Sequence, residues 1–167
     1  MEFLENPQIQ IIFQLLLAAL LGGIVGLERE YKRKEAGLRT YALVSLGSAL
    51  FTIIAFEVFQ NFLGKPGAGI DPLRVIQAIA IGIGFIGAGL IIYRQSYIEG
   101  LTTAAGLWVV SAIGIAVGVK LYFPAIFVSL VAIGILAGLR LVEEKVFGKE
   151  TEKPTTRPPS PVKPRKK

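Results

Sequence analysis

Glu57 and Asp71 are acids whose surroundings raise the question of chemistry. Glu57 lies inside an apolar run from Tyr41 to Leu63, and Asp71 stands just ahead of the next run, with Pro72, Arg74 and Gln77 beside it. An ionised side chain at membrane depth costs on the order of 3 kcal/mol or more, so a retained one is a candidate for ion contact. Glu57, Asp71, Arg74 and Gln77 form that candidate set. The set is sparse: a hard cation such as Mg²⁺ takes oxygens in a near-octahedral array, and no apolar run carries a second acid near its middle. The sequence names no metal. Plainer readings stand beside this one. Glu57 reaches water with Gln60 and Asn61, or pairs with Lys65 or Arg74, and Asp71 caps a helix start.

A second set of polar residues follows the first apolar run. The segment from Gly26 to Thr40 reads GLEREYKRKEAGLRT, with Glu28 four residues before Lys32 and Glu30 four before Lys34. Acid-before-base pairs at that spacing stabilise a helix, so the apolar run is expected to continue as a charged helix into the membrane interface. Gly37 is the expected stop, and Arg39 and Thr40 open the next run. One reading is a salt-bridged helix end that anchors topology. The other is a recognition surface, because orientation alone needs no acids there. Farther on, Gly100 to Trp108 reads GLTTAAGLW. Thr102 or Thr103 is placed to cap a helix through its hydroxyl, and Trp108 is expected to pack between helices.

The stretch GIGFIGAG places Gly82, Gly84 and Gly87 at the spacing of a dinucleotide-binding loop, with Gly89 two residues beyond. That fingerprint requires a strand, a turn and a helix start, whereas these glycines lie inside an apolar run of membrane length. Close helix approach is the physical reading, since small residues let backbones pack where lipid supplies no hydrophobic drive. Pairs four apart recur as Gly22/Gly26, Gly114/Gly118 and Gly134/Gly138. They argue for a tight bundle and for self-association into a homo-oligomer. There is no cysteine and no histidine, which excludes disulfides, thiolate chemistry and imidazole triads. No enzyme activity and no cofactor is expected.

These groups are positioned by apolar segments. With 53% hydrophobic and only 18% charged residues, whole segments are apolar all round, which fits lipid rather than water as solvent. Five spans are expected, at about 9–27, 41–63, 75–93, 101–119 and 121–139, each near the ~20 residues that cross a bilayer. The fold class is therefore all-α, a polytopic transmembrane helix bundle. The weakest division is at Lys120, where a tight helical hairpin is preferred over one long bent helix. Of eighteen Lys and Arg residues, fifteen fall in the first and third connections (with Arg94 in the third) and in the tail. The positive-inside rule then puts the amino terminus outside and the carboxy terminus in the cytoplasm. The amino terminus lacks a basic n-region, so the first span is read as retained rather than as a signal peptide. Residues 1–143 form the membrane domain. Residues 144–167, rich in proline and lysine, are expected to be a disordered basic tail. The net charge of +6 points to anionic lipid head groups rather than nucleic acid, because the basic residues flank the spans.

Residues 26–40, 71–91 and 100–108, taken together, resemble the GLER…GLRT, D-P-x-R…GIGF-x-GAG and GLTTAA-x-x-W elements of the MgtC/SapB family of bacterial membrane proteins. The resemblance covers about residues 9–143. It implicates Glu28, Arg29, Glu30, Arg39, Thr40, Thr102 and Thr103, which the topology gathers with Arg94 at one rim. It also implicates Asp71, Arg74, Gly82, Gly84, Gly87, Gly89 and Trp108. It implies a bacterial inner-membrane protein of magnesium homeostasis or low-Mg²⁺ adaptation that regulates other membrane proteins, such as ATP synthase. The alternative it leaves is a small-ion transporter using Glu57 and Asp71. The family often has histidine at Tyr41, a basic residue at Glu99 and glutamine at Ala78. Longer members add an ACT-like domain where this chain carries its basic tail, so regulation through that domain is not carried over.

Overall fold

The computed structural model describes residues 6–62, 71–94 and 97–139, so the tail expected to be disordered lies outside the described residues. Five helices account for most of them: α1 (Pro7–Tyr31), α2 (Leu38–Phe62), α3 (Leu73–Leu90), α4 (Leu101–Gly118) and α5 (Tyr122–Ile133). The last continues in π form through Gly134–Leu139. The first four are long and apolar enough to cross a membrane, and α5 with its extension is a shorter apolar helix. The chain is an all-α polytopic membrane bundle.

Local sequence explains the helix ends. Asn6 caps α1 by accepting the Gln8 N–H at 3.0 Å, and Pro7 follows at a position whose missing N–H has no helical partner. The helix closes with Arg33 in the left-handed region, φ 52°, while the Lys34 N–H returns to the Arg29 carbonyl at 3.1 Å. The end of α4 repeats this device. Lys120 has φ 65°, and the Leu121 N–H returns 2.8 Å to Ala116 O. Glycine usually fills that position because it has no Cβ to clash, so both turns hold a basic residue at some cost in strain. The hairpin expected at Lys120 is present.

Several expectations need correction. The charged first helix ends at Tyr31 rather than at Gly37. The third helix stops at Leu90 rather than Tyr93. The chain then forms an antiparallel pair, β1 (Ile92–Arg94) with β2 (Tyr97–Glu99), in which Arg94 lies opposite Tyr97. Neither threonine caps α4. Gly100 does so with φ 88°, without a side-chain hydrogen bond, and a Cβ there would overlap the Leu90 carbonyl.

The core is a wedge of α2 between α1 and α4. Tyr41, fully buried, stands between Gly26 of α1 and Gly106 of α4, where a Cβ on either glycine would collide with its side chain. One turn on, Ser45 lies between Gly22 and Gly114, and Gly118 meets Ala49 and Thr52. Ala18, Leu21, Val25, Leu107, Val110, Ile113 and Val117 fill the remaining space. Of the glycine pairs expected to pack, Gly22/Gly26 and Gly114/Gly118 do so, while a Cβ at Gly134 or Gly138 would meet nothing within 4 Å.

Helix α3 differs. Only Ile83 and Gly87 are buried on it, and Gly87 alone of the GIGFIGAG glycines approaches a neighbour, with Ala104 Cβ 3.3 Å from where its own Cβ would stand. A Cβ at Gly82, Gly84 or Gly89 would find open space among the described residues, so these three do not pack against another described helix. The reason is geometric: α3 packs mainly on α4 along one narrow stripe and meets α2 only lightly, so that an open groove remains between α2 and α3. Trp108 is also misplaced by the sequence reading, being 55% exposed on the periphery of α4.

Candidate functional site

The polar residues fall into three places. At the loop end of the bundle, α1 carries Glu28, Arg29 and Glu30 in its last turn. Glu28 pairs with Lys32 at 2.7 Å, one helical turn on, and lies 3.8 Å from Arg29. Both Glu28 oxygens are buried and are met by these charges, and Arg29 Nε is buried with no hydrogen-bond partner among the described residues. Glu30 does not pair with Lys34. Its Oε2 accepts the Leu38 N–H at 3.2 Å and so caps α2 from the preceding helix. A Cβ at Gly37 would overlap that carboxylate, which explains physically why glycine suits the position.

Thr103, buried at the start of α4, donates its hydroxyl to Glu35 at 2.6 Å, and its carbonyl accepts the Tyr41 hydroxyl at 3.2 Å. These two contacts tie the first loop, α2 and α4 together. The Thr103 hydrogen bond is the largest influence holding the Glu35 carboxyl below the usual range. The Glu35 backbone N–H and the Lys34 and Arg29 charges add to it against a smaller opposing effect of burial. Arg29 and both threonines line one cavity here.

Arg39 and Thr40 are not part of that cavity. They stand at the mouth of a groove of about 670 Å³ between α2 and α3, walled mainly by apolar residues and by Gly47, Ser48 and Gly82. The predicted rim is therefore divided: α2 turns Arg39 and Thr40 toward α3 while Thr103 sits on the opposite side. Glu28 is partnered by Lys32 rather than by Arg39.

At the other end, Glu57 lines a cavity of about 320 Å³ with Gln10, Gln14, Gln60 and Lys120. Gln14 is buried, and its amide donates to the carbonyls of Val117 at 2.9 Å and Gly118 at 3.2 Å, buried acceptors in the last turn of α4. Lys120 donates to Gln10 at 3.4 Å. Asp71, Arg74 and Gln77 are exposed and do not line this cavity. Asp71 accepts the Leu73 N–H at 2.9 Å, as a helix-start residue does. Among the described residues no group of three acids is placed to hold a metal ion.

The order and spacing of these elements match a known family, whose model, the MgtC family, aligns with residues 15–145. This chain belongs to the MgtC family. YhiD of Escherichia coli (strain K12), named a candidate magnesium transporter, is 42% identical over 127 residues, which cover 76% of this chain and 59% of that protein. SapB of Bacillus subtilis (strain 168) is 39% identical over 124 residues, 74% of this chain and 53% of its own length. MgtC of Brucella abortus (strain 2308) is 39% identical over 123 residues, 74% and 48% respectively. The chain thus spans roughly half to three-fifths of the length of these relatives. No solved structure matches.

Sequence reasoning passed over Glu35, Gln14 and Gly106 in this MgtC-family chain, and it marked Tyr41 only as a departure from the family pattern. Glu35 looked like one more charge in a charged loop, and its partner is 68 residues away. Gln14 carried a usable signal: an amide inside an apolar run must find a partner.

Proposed function

We propose that this chain is a non-enzymatic regulator in magnesium homeostasis or low-Mg²⁺ adaptation that acts by binding other membrane proteins. The observation that carries this reading is the open face of α3 that bears Gly82 and Gly89, two turns apart, where a Cβ would meet nothing within 4 Å. In a bilayer such a face suits the close approach of another helix. The magnesium connection rests on the family and on the name of the relative YhiD. The chain is placed in the bacterial inner membrane with its amino terminus outside, on the strength of its basic connections. Single cysteines introduced before α1 and after α5 into this cysteine-free sequence, labelled in intact cells, test that orientation. Crosslinking in native membranes from positions 82 and 89, with identification of what is captured, tests the regulatory role. Capture that is unaffected by Gly82→Leu counts against it.

A second reading, a small-ion transporter, is favoured by the Glu57 cavity. Purified protein in liposomes with a Mg²⁺-sensitive dye separates the two. Flux abolished by Glu57→Gln establishes transport and overturns the ranking.

A further inference from the structure

The groove between α2 and α3 has a charge pattern and a length that the proposed function does not use. It holds about 670 Å³ and is lined only by residues of those two helices. Its walls are apolar except for Arg39 and Thr40 at one end, two glycines and Ser48. The Ser48 hydroxyl is already bonded to that of Ser111 at 3.0 Å, so the depth of the groove asks for no polar ligand atom. Gly47 on α2 and Gly82 on α3 both line it, and a Cβ on either would meet nothing within 4 Å. Arg39 is exposed and has no ion pair among the described residues. No acid lines the groove, and Glu30, which caps the start of α2, is engaged with the Leu38 N–H.

Length and charge choose the occupant. Between Arg39 and Phe51 the groove extends ~18 Å along α2 at ~1.5 Å per residue. One leaflet supplies ~15 Å, half of the ~30 Å hydrocarbon core. The groove therefore has the depth of one leaflet, whereas a transmembrane helix runs on across both. Its one charged residue stands at the end where the first loop meets α2, the level of lipid phosphates. A guanidinium meets a phosphodiester through two parallel N–H donors. A zwitterionic head group would bring an ammonium that no acid in the groove receives.

We propose that this groove holds one anionic phospholipid, its phosphate on Arg39 and Thr40 and one acyl chain laid between Gly47 and Gly82. Gly82 also belongs to the α3 face proposed for a partner helix, so lipid and helix exclude each other at that position. Gly47 belongs to the groove alone, and lipid binding there needs no partner.

The test uses the full chain, delipidated in detergent and titrated with phosphatidylglycerol or with phosphatidylcholine of the same acyl chains, adducts being counted by native mass spectrometry. The expected result is one saturable phosphatidylglycerol adduct per chain, with phosphatidylcholine about tenfold weaker. Arg39→Gln is expected to weaken phosphatidylglycerol about tenfold, as loss of a charge-assisted contact implies, and to remove the preference. Arg33→Gln deletes an exposed charge outside the groove and is expected to weaken binding about twofold or less. Gly47→Leu puts a side chain where a Cβ meets no atom. It is expected to exclude the acyl chain, a loss of about tenfold or more, with helix content by circular dichroism unchanged. Equal binding of the two lipids, equal losses in Arg39→Gln and Arg33→Gln, full binding by Gly47→Leu, or no saturable adduct overturns the proposal. So does a dimer that Gly47→Leu dissociates, which assigns the groove to a second copy.

Discussion

Helices α2 and α3 are both apolar, both contain small residues, and both fit the length of a membrane span, yet they are held in opposite ways. Helix α2 is gripped on two sides: Tyr41 and Ser45 are flanked by glycines of α1 and α4, and Ser48 shares a 3.0 Å hydrogen bond with Ser111. Helix α3, richer in glycine, buries Ile83 and Gly87 and leaves its other glycines bare. The contrast teaches that glycine marks close approach only where a neighbouring helix presents a residue to receive it. In lipid, where apolar faces gain little by meeting, packing depends on such matched shapes and on small polar contacts.

Substitutions at matched glycines should break the contrast most visibly. Gly114→Ala places a methyl against the backbone of Ser45, which cannot rotate away. A loss of about 2–3 kcal/mol is expected from overpacking of this kind, read by reversible denaturation in detergent. Thr103→Val unties the loop end of the packed unit and should cost about 1 kcal/mol. It carries a pH signature as well. Because the folded-state Glu35 carboxyl lies below its usual range, the stability it contributes is present above the ordinary glutamate pKa and is lost as pH falls through the folded value. In Thr103→Val that acid-side loss should shrink, and an unchanged profile from pH 6 to pH 3 would show that the hydroxyl does not govern the carboxylate.

At the far end of the unit, Lys120→Gly relieves the left-handed strain at φ 65° at the expense of the long contact with Gln10. A gain of about 1 kcal/mol is expected. If stability falls instead, the Lys120 side chain matters more than its backbone. The smallest effect should come from the open face. Gly82→Ala meets no atom within 4 Å and should stabilise α3 by ~0.5–1 kcal/mol through helix propensity. Gly114→Ala and Gly82→Ala are therefore predicted to differ in sign. A Gly82→Ala that destabilises the isolated protein would mean that this face is occupied by a second copy in detergent.

The charged residues show how far a sequence carries. Glu28 and Lys32 pair as their spacing implies, because a four-residue interval on a helix brings two side chains together whatever surrounds them. Glu30 has the same spacing to Lys34, but the chain leaves the helix at Lys32, and the carboxylate turns to the Leu38 N–H instead. The threonines went astray for a similar reason. Gly100 adopts the left-handed conformation and begins α4 without them, which frees Thr103 to reach across to Glu35.

Unbroken apolar length decided that this chain is a membrane bundle, and local spacing decided where its helices run, since both depend on solvent and on neighbours within one turn. The motifs of residues 26–40, 71–91 and 100–108 were enough to indicate the family. Only the tertiary structure decided that Tyr41 fills the gap between Gly26 and Gly106, that Arg39 faces a different groove from Thr103, and that Glu57 shares its cavity with Lys120 rather than Asp71. Those pairings join residues tens of positions apart. They depend on which face each helix turns to its neighbour, and no local rule along the chain specifies that rotation.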